Sequence, residues 1–522
     1  MINTPPQNQL ILEGFETEFE NWIDPNNKWV ELSHLIPWEA LANSYNKTLC
    51  HNTGRPGKDA RLVIGALILK HYYGYSDEET IEQIQMNPYY QYFVGFKAFN
   101  KKPAFAPSLF VDIRKRMDED IYKGFEKILT HEVEKLKPAA QKTIISDTTK
   151  EEQNKITHKG KLIIDATIAD QDIRYPTDIN LLNQSREISE EIIDALYTSE
   201  TEDKKPRTYR QTARKDYLTY SKQRRPGKKL RRKTIKKQLQ YIKRNLSHIE
   251  TLLDKQTQPI LHKTLYSLLE TNFPLSKKHR RQYYVIQHVY QQQNELFREN
   301  KHSISDRIVS IHMPEVRPMV RGKAGRNVEF GAKLGVGITE DGLSQLDTLS
   351  WDAYNESTDL KKHINNYKKL HGHYPKKVLA DKIYGTRKNR KMLKEKGIEF
   401  GGKPLGRPKK QTEENKSEIK KQKKQEKEDH RDRIPIEGKF GQGKRSYRLD
   451  KIFARTRKTS ESWIRNIFLV MNLLVLVKVF LCPEKMRCIF PWIIKKTAKM
   501  LPEKYRGHAN DCHYQKHRFV LG

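Results

Sequence analysis

From about residue 30 to 135, apolar positions recur at helical spacing. Over Asp59 to Tyr73 they predict one helix, followed by Gly74 and then Ser76-Asp77-Glu78-Glu79, the signature of an N-cap with an acidic first turn. The next helix would bury Ile81 and Ile84, three residues apart, and Asn87-Pro88 would end it. A third, amphipathic helix is predicted over Pro107 to Met117, carrying Arg114, Lys115 and Arg116. Short helices around a tight turn suit a helix-turn-helix reader of DNA, and equally an ordinary helical bundle.

From about residue 140 the period shortens. Thr143-Ile-Ile-Ser146 and Leu162-Ile-Ile-Asp165 read as strands buried within a sheet, and strand-like runs return at Ile308–His312, Val328–Thr339 and Leu343–Trp351. Turns such as Asp341-Gly342 make hairpins of them. A helix over Glu356–Leu370, a strand over Val378–Asp381, a helix over Thr386–Lys396 and a strand over Ile398–Gly401 follow. Hairpins that give way to alternating strands and helices predict a mixed α/β sheet. Two segments interrupt it, a helical stretch over 185–305 and a Lys/Glu/Gln-rich stretch over 404–432, read as a mobile loop or exposed helix. The predicted organisation is an N-terminal helical domain (1–135), a core in two parts (136–184 and 306–482), the helical insertion between them, and a basic tail (483–522).

Charge narrows the class. The chain has 99 Lys and Arg against 64 Asp and Glu in 522 residues, a formal +35, which favours a polyanionic partner, nucleic acid before anionic membrane. Between Lys204 and Arg244 the only acid is Asp216, with Tyr209, Tyr217, Tyr220 and Tyr241 interleaved. A charge run is usually a solvated face, but this near absence of acids favours a phosphate-tracking surface. The start of the chain lacks the basic and apolar segments of a signal peptide, and the apolar run from Ile467 to Cys482 is short for a span and broken by Asn472 and Lys478, so a buried helix and no membrane role are expected. Four cysteines imply no disulfide framework and fit a reducing cytoplasm.

Three acids are the candidate chemistry. Asp165 and Asp381 each close a short apolar run, where a strand holds a carboxylate rigid at a sheet edge; a turn or N-cap role is the plainer reading of either alone. Asp147, Asp170 and Asp172 compete locally with Asp165, and Asp347 and Asp352 compete less well. On a helix, Arg433, Glu437 and Lys444 would share a face, with His430 one turn earlier if the helix reaches it. Pro435 is tolerated in a first turn, which places the helix start near Ile434 and His430 in the preceding loop; Gly438, Gly441 and Gly443 weaken the helix further, and a solvated basic loop is the alternative that spacing leaves open. Three carboxylates brought together can hold two divalent metals about 3.5–4 Å apart for in-line attack on phosphodiesters. His508, Cys512, His513 and His517 lack a Cys-x-x-Cys pair for zinc, and Gly322-Lys-Ala-Gly-Arg326 lacks the Gly-Lys-Ser/Thr ending of a phosphate loop.

Read together, these motifs resemble bacterial insertion-sequence transposases of the DDE class, which have a ribonuclease H-like catalytic core. Asp165-Ala-Thr looks like the first-Asp motif, followed by Ile173-Arg-Tyr-Pro-Thr-Asp178 and Leu181-Leu182, and Ala380-Asp381-Lys-Ile-Tyr384-Gly resembles the second. His430, Arg433, Glu437 and Lys444 match the Tyr-Arg-Glu-Lys signature in spacing, with histidine in place of tyrosine, and Arg457-x-x-x-Glu461 through Asn472-Leu-Leu is similar to the closing helices. The resemblance implies an N-terminal domain that binds terminal inverted repeats, with Asp165, Asp381 and Glu437 as catalytic ligands of two Mg²⁺ ions, for which Mn²⁺ can substitute. It further implies that Arg433, Lys444 and His430 position DNA, that the partners are double-stranded transposon-end and target DNA, that a homodimer forms the synaptic complex, and that the protein is cytoplasmic at the nucleoid. The alternatives are a metal-dependent nuclease of the same fold and a DNA-binding protein with a decayed site.

Overall fold

The computed structural model describes residues 18–49, 56–135, 158–197, 204–257, 273–320, 328–406, 412 and 415–481. The expected strand at Thr143, the Gly322–Arg326 loop and the tail from Pro483 lie outside the described residues.

The described residues of the N-terminal region form eight helices, α1 (Glu18–Trp22), α2 (Lys28–Leu35), α3 (Trp38–Asn46), α4 (Ala60–Tyr73), α5 (Asp77–Met86), α6 (Pro88–Phe93), α7 (Leu109–Arg116) and α8 (Glu119–Lys135). Their ends follow from local chemistry. Asp59 caps α4 by accepting from the Leu62 amide at 3.1 Å, and Gly74 closes it in the left-handed conformation (φ +72°) that glycine adopts without strain. Ser76 and Glu79 form the reciprocal capping box that starts α5. Asn87 caps α6, whose first residue is Pro88, so this dipeptide both ends one helix and begins the next. Helix α4 is buried nearly all round, including Lys70, whose ammonium meets Asp77 at 3.0 Å and stacks 4.7 Å from the Trp463 ring. Arg114 grips the same Asp77 through two bonds at 2.7 and 2.8 Å and is buried, so this member of the basic α7 run is a structural cation.

The sheet contains β1 (Lys161–Asp170), β2 (Arg317–Val320), β3 (Val328–Thr339), β4 (Ser344–Ser350), β5 (Lys377–Ala380) and β6 (Glu399–Gly401). Central β1 runs antiparallel to β3 and parallel to β5; β6 extends the parallel side, and β2 and β4 both pair with β3. This is the expected mixed α/β sheet. Ile308–His312 is the exception: it joins no ladder, and its apolar residues are spent elsewhere, Ile308 and Ile311 in the core of the insertion and Val309 in that of the sheet. Between β4 and β5 a tight turn at Glu356–Thr358 leads into α13 (Leu360–His371), and α14 (Arg387–Glu395) joins β5 to β6.

The insertion is helical, as its composition suggests, and begins at Asp178 rather than 185. It comprises α9 (Asp178–Leu196), α10 (Arg210–Ser221), α11 (Lys228–Thr257) and α12 (Lys277–Glu299), packed around a separate apolar cluster that includes Leu182, Ile192, Ile242 and Ile286. The last two helices among the described residues are α15 (Lys416–Ser446) and α16 (Arg457–Leu481). By length and composition the Arg457–Val477 part of α16 could cross a membrane, but most of it is buried inside the protein, including Ile464, Ile467 and Phe468. Asn472 fixes it to β4 through two 2.8 Å bonds with the Ser344 backbone. One cluster joins residues of α2–α8, one face of β1 and β3–β5, α15 and α16, so the N-terminal helices and the sheet share a core. At about 1.5–3 kcal/mol per large side chain buried, such continuity fixes the N-terminal helices against the sheet.

Candidate active site

The sheet brings the first two acids together. Register pairs Ile163 with Leu379 and Ile164 with Ala380, so Asp165 and Asp381 are the next residues on adjacent parallel strands. β5 stops at Ala380 while β1 continues to Asp170 against β3, so Asp165 lies inside its strand just where the parallel partner ends. Asp381 caps the Lys382–Tyr384 turn by accepting from the Lys382 amide at 2.7 Å, and Asp165 accepts from the Ala166 amide at 2.8 Å. The N-cap reading and the functional one are therefore compatible at Asp381.

The third acid arrives on α15. This helix does not begin near Ile434; it starts at Lys416 and runs through Pro435. Residues 416–432, expected as a mobile loop or exposed helix, form its first half. Proline removes one backbone bond, to the carbonyl of Arg431, but both residues are exposed, so water can meet that carbonyl. Ile436 is fully buried and holds the helix on the sheet, which turns Arg433 and Glu437 toward the strand acids.

Arg433 is the hub. Its guanidinium stands 3.1 Å from Glu437 Oε1, 3.8 Å from Asp381 Oδ1 and 4.0 Å from Asp165 Oδ2. Carboxylates from β1, the end of β5 and α15 thus converge on one cation. Among the described residues no three His, Cys, Asp or Glu side chains stand close enough together to hold a metal ion, because here the guanidinium separates these three. The donor set is nevertheless all-oxygen and anionic, which suits a hard divalent cation such as Mg²⁺ or Mn²⁺. Burial raises the pKa of Asp165; its bond from Ala166 and the Arg433 charge pull it down, and the fields of Glu356 and Asp381 push it up. Asp381 and Glu437 are more open, at 58% and 55% side-chain exposure, so a substrate can reach that side of the trio.

The remaining residues sort by contact. His430 is exposed one turn before Arg433, on a helix that does extend to it. Lys444 lies two turns beyond Glu437 and faces Glu329 of β3 at 3.6 Å. Of the competing acids, Asp170 accepts from the Phe330 amide, Asp172 faces Lys451, Asp347 is buried against His363 and Asn366, and Asp352 is exposed near Arg317; Asp147 lies outside the described residues. Sequence reasoning missed Glu356, whose field reaches Asp165 and whose carboxylate meets Lys333 at 3.0 Å. It also missed two lysines, each four residues before a strand acid. Lys161 meets Asp432 of α15 at 3.0 Å and Lys377 meets Asp429 at 2.5 Å. The signal was in plain view as Lys161-Leu-Ile-Ile-Asp165 and Lys377-Val-Leu-Ala-Asp381.

Two family models match parts of the chain. Residues 378–474, which carry Asp381, Arg433, Glu437 and Lys444, match the family described as Transposase DDE domain. Residues 17–116 match the family described as Transposase domain (DUF772). The uncharacterized protein ORF8 in the nfe locus of Rhizobium meliloti is 32% identical over 171 residues, which cover 32% of this chain and 73% of that protein. No solved structure matches the chain. Asp165 lies outside both family matches, so its place in the trio rests on the strand register and on Arg433. With two transposase families matched in order along one chain, the protein belongs to the insertion-sequence DDE transposases.

Proposed function

We propose that this transposase binds the terminal inverted repeats of its own insertion sequence and catalyses metal-dependent DNA cleavage and strand transfer at Asp165, Asp381 and Glu437. The observation that carries the reading is the convergence of those three carboxylates, from three separate elements, on the single cation Arg433. A ribonuclease H-like core belongs to the same proposal: its support is the central β1, antiparallel to β3 and parallel to β5, with the first two acids on the adjacent parallel strands.

The three carboxylates would hold two divalent cations, Mg²⁺ or in its place Mn²⁺, which supply an activated water or 3′-hydroxyl and stabilise the leaving oxygen. The protein's own residues do the rest. Arg433, once parted from the acids, offers a planar fork for a phosphate oxygen pair. Lys444 and exposed His430 flank it on the same helix face, placed to hold the strand on either side of the scissile bond. Exposed Arg and Lys residues of α10 and α11 track phosphates of flanking or partner DNA. The N-terminal helices read the ends, two protomers form the synaptic complex, and the protein works at the nucleoid.

The test is a strand-transfer assay on duplexes carrying the ends that flank the gene, with a supercoiled target. Joined products that require a divalent cation support the proposal. Cleavage without joined ends favours a nuclease of the same architecture, and end binding without cleavage in any divalent metal favours a decayed DNA-binding protein.

A further inference from the structure

We propose that Lys161–Asp432 and Lys377–Asp429 form a two-toothed clamp that sets the position of α15 along the sheet, making these four residues positioning residues for Glu437. The inference rests on the proposed role of Glu437 in cleavage, but the clamp itself is a geometric claim. Lys161 and Lys377 are register partners on the adjacent parallel strands β1 and β5, and Asp165 and Asp381 follow each of them by four residues on the same face. Asp429 and Asp432 lie three residues apart on α15; Asp429 is about one turn before Arg433 and two before Glu437, and Asp432 directly precedes Arg433. Strand pair and helix therefore meet at two levels along the strands: the lysines meet Asp432 and Asp429 at one, and the strand acids Asp165 and Asp381 meet Arg433 at the other.

Burial distinguishes the inner tooth from an ordinary surface pair. Lys377 and Asp429 keep only 15% and 11% of their side chains exposed, and Gln425 adds a 2.8 Å bond to the same Asp429 oxygen. The neighbouring strand makes room for them. Gly401 of β6 pairs with Leu379, and a Cβ there would stand 2.3 Å from the Leu379 side chain, 3.0 Å from Asp429 Oδ2 and 3.0 Å from the Lys377 stem. The outer tooth, Lys161–Asp432, is half-exposed and stops the helix from rolling about the inner one.

A charge swap tests this in the full-length chain. Lys377→Glu and Asp429→Lys are made singly and together, with Lys161→Glu, Asp432→Lys and their pair as a milder second series should the buried tooth compromise folding. Spin labels at Gly438 of α15 and Lys361 of α13, on opposite faces of the sheet and in a background with the native cysteines replaced, report the helix position. In separate unlabelled proteins, end binding and nicking rate are measured.

Each single reversal is expected to shift or broaden the label distance by about 1.5–5 Å, one residue to one turn of helix. Nicking then falls about 10²-fold, as for a 1 Å misplacement of a reacting group, with end affinity unchanged, and the double reversal restores both. Unchanged distances in the single variants overturn the clamp whether or not the protein cuts DNA, and a shift that the double reversal leaves in place overturns the pairwise assignment. A wild-type protein that does not nick refutes the proposed function, while the distance series still decides the clamp.

Discussion

Glu126 offers a quantitative check on how the N-terminal helices dock to the sheet. It sits on α8 facing β4, where its Oε1 accepts from the Leu346 amide at 3.4 Å, close to buried Asp347. Desolvation and the Asp347 charge push its pKa up to about 8, against 4.5 for a free glutamate. The folded state therefore binds the proton more tightly than the unfolded chain. Stability is greatest below the unfolded pKa and falls as pH rises toward the folded one, by up to about 1.4 kcal/mol per pH unit. Because part of the residue remains open to water, screening trims this ceiling, and a loss on the order of 2–3 kcal/mol across pH 5 to 8 is expected. Glu126→Gln keeps the amide acceptor and removes the ionisation. Urea unfolding at pH 5, 6, 7 and 8 should then show the variant and wild type converging at low pH, with the variant progressively the more stable at high pH. Parallel stability profiles for the two proteins would refute the assignment of a strained carboxyl at this seam.

Other perturbations address the site and the insertion. Arg433→Ala should lower nicking by about 10²-fold through loss of a transition-state cation, yet raise Mn²⁺ affinity without DNA, since no guanidinium must be displaced; weaker Mn²⁺ binding by calorimetry would contradict the hub geometry. Replacing exposed Arg224, Arg225, Lys229 and Lys233 by glutamine should reduce the slope of log K against log salt by about 0.9 for each phosphate that is no longer neutralised. An unchanged slope in fluorescence anisotropy would remove the insertion from the DNA interface.

Much of the architecture was legible because local chemistry and tertiary structure agree. The β3 hairpin, the capping box at Ser76 and the buried character of α16 all follow from short-range signals. Failures came where tertiary context overrode them. At Ile308–His312 the apolar residues serve two different cores instead of one face of a sheet. Along α15, proline and three glycines argue against a helix, but burial of Ile436 and the ion pairs from Lys161 and Lys377 stabilise one. The site itself was half visible. Helical spacing placed Arg433 and Glu437 on one face, while only the β1–β5 register reveals that Asp165 and Asp381 are neighbours. Nothing in spacing announces that Arg433 sits among all three acids.

The central claim is that these three carboxylates perform metal-dependent chemistry on DNA ends. Its most direct test is nicking of an end-labelled duplex carrying the ends that flank the gene, in Mg²⁺, Mn²⁺ or EDTA, with wild type and with Asp165→Ala, Asp381→Ala and Glu437→Gln. Nicking at the end boundary that requires the cation and is lost in each variant, with end binding retained, is the predicted result. Cleavage that persists in EDTA, or survives loss of Asp165 or Asp381, would contradict it.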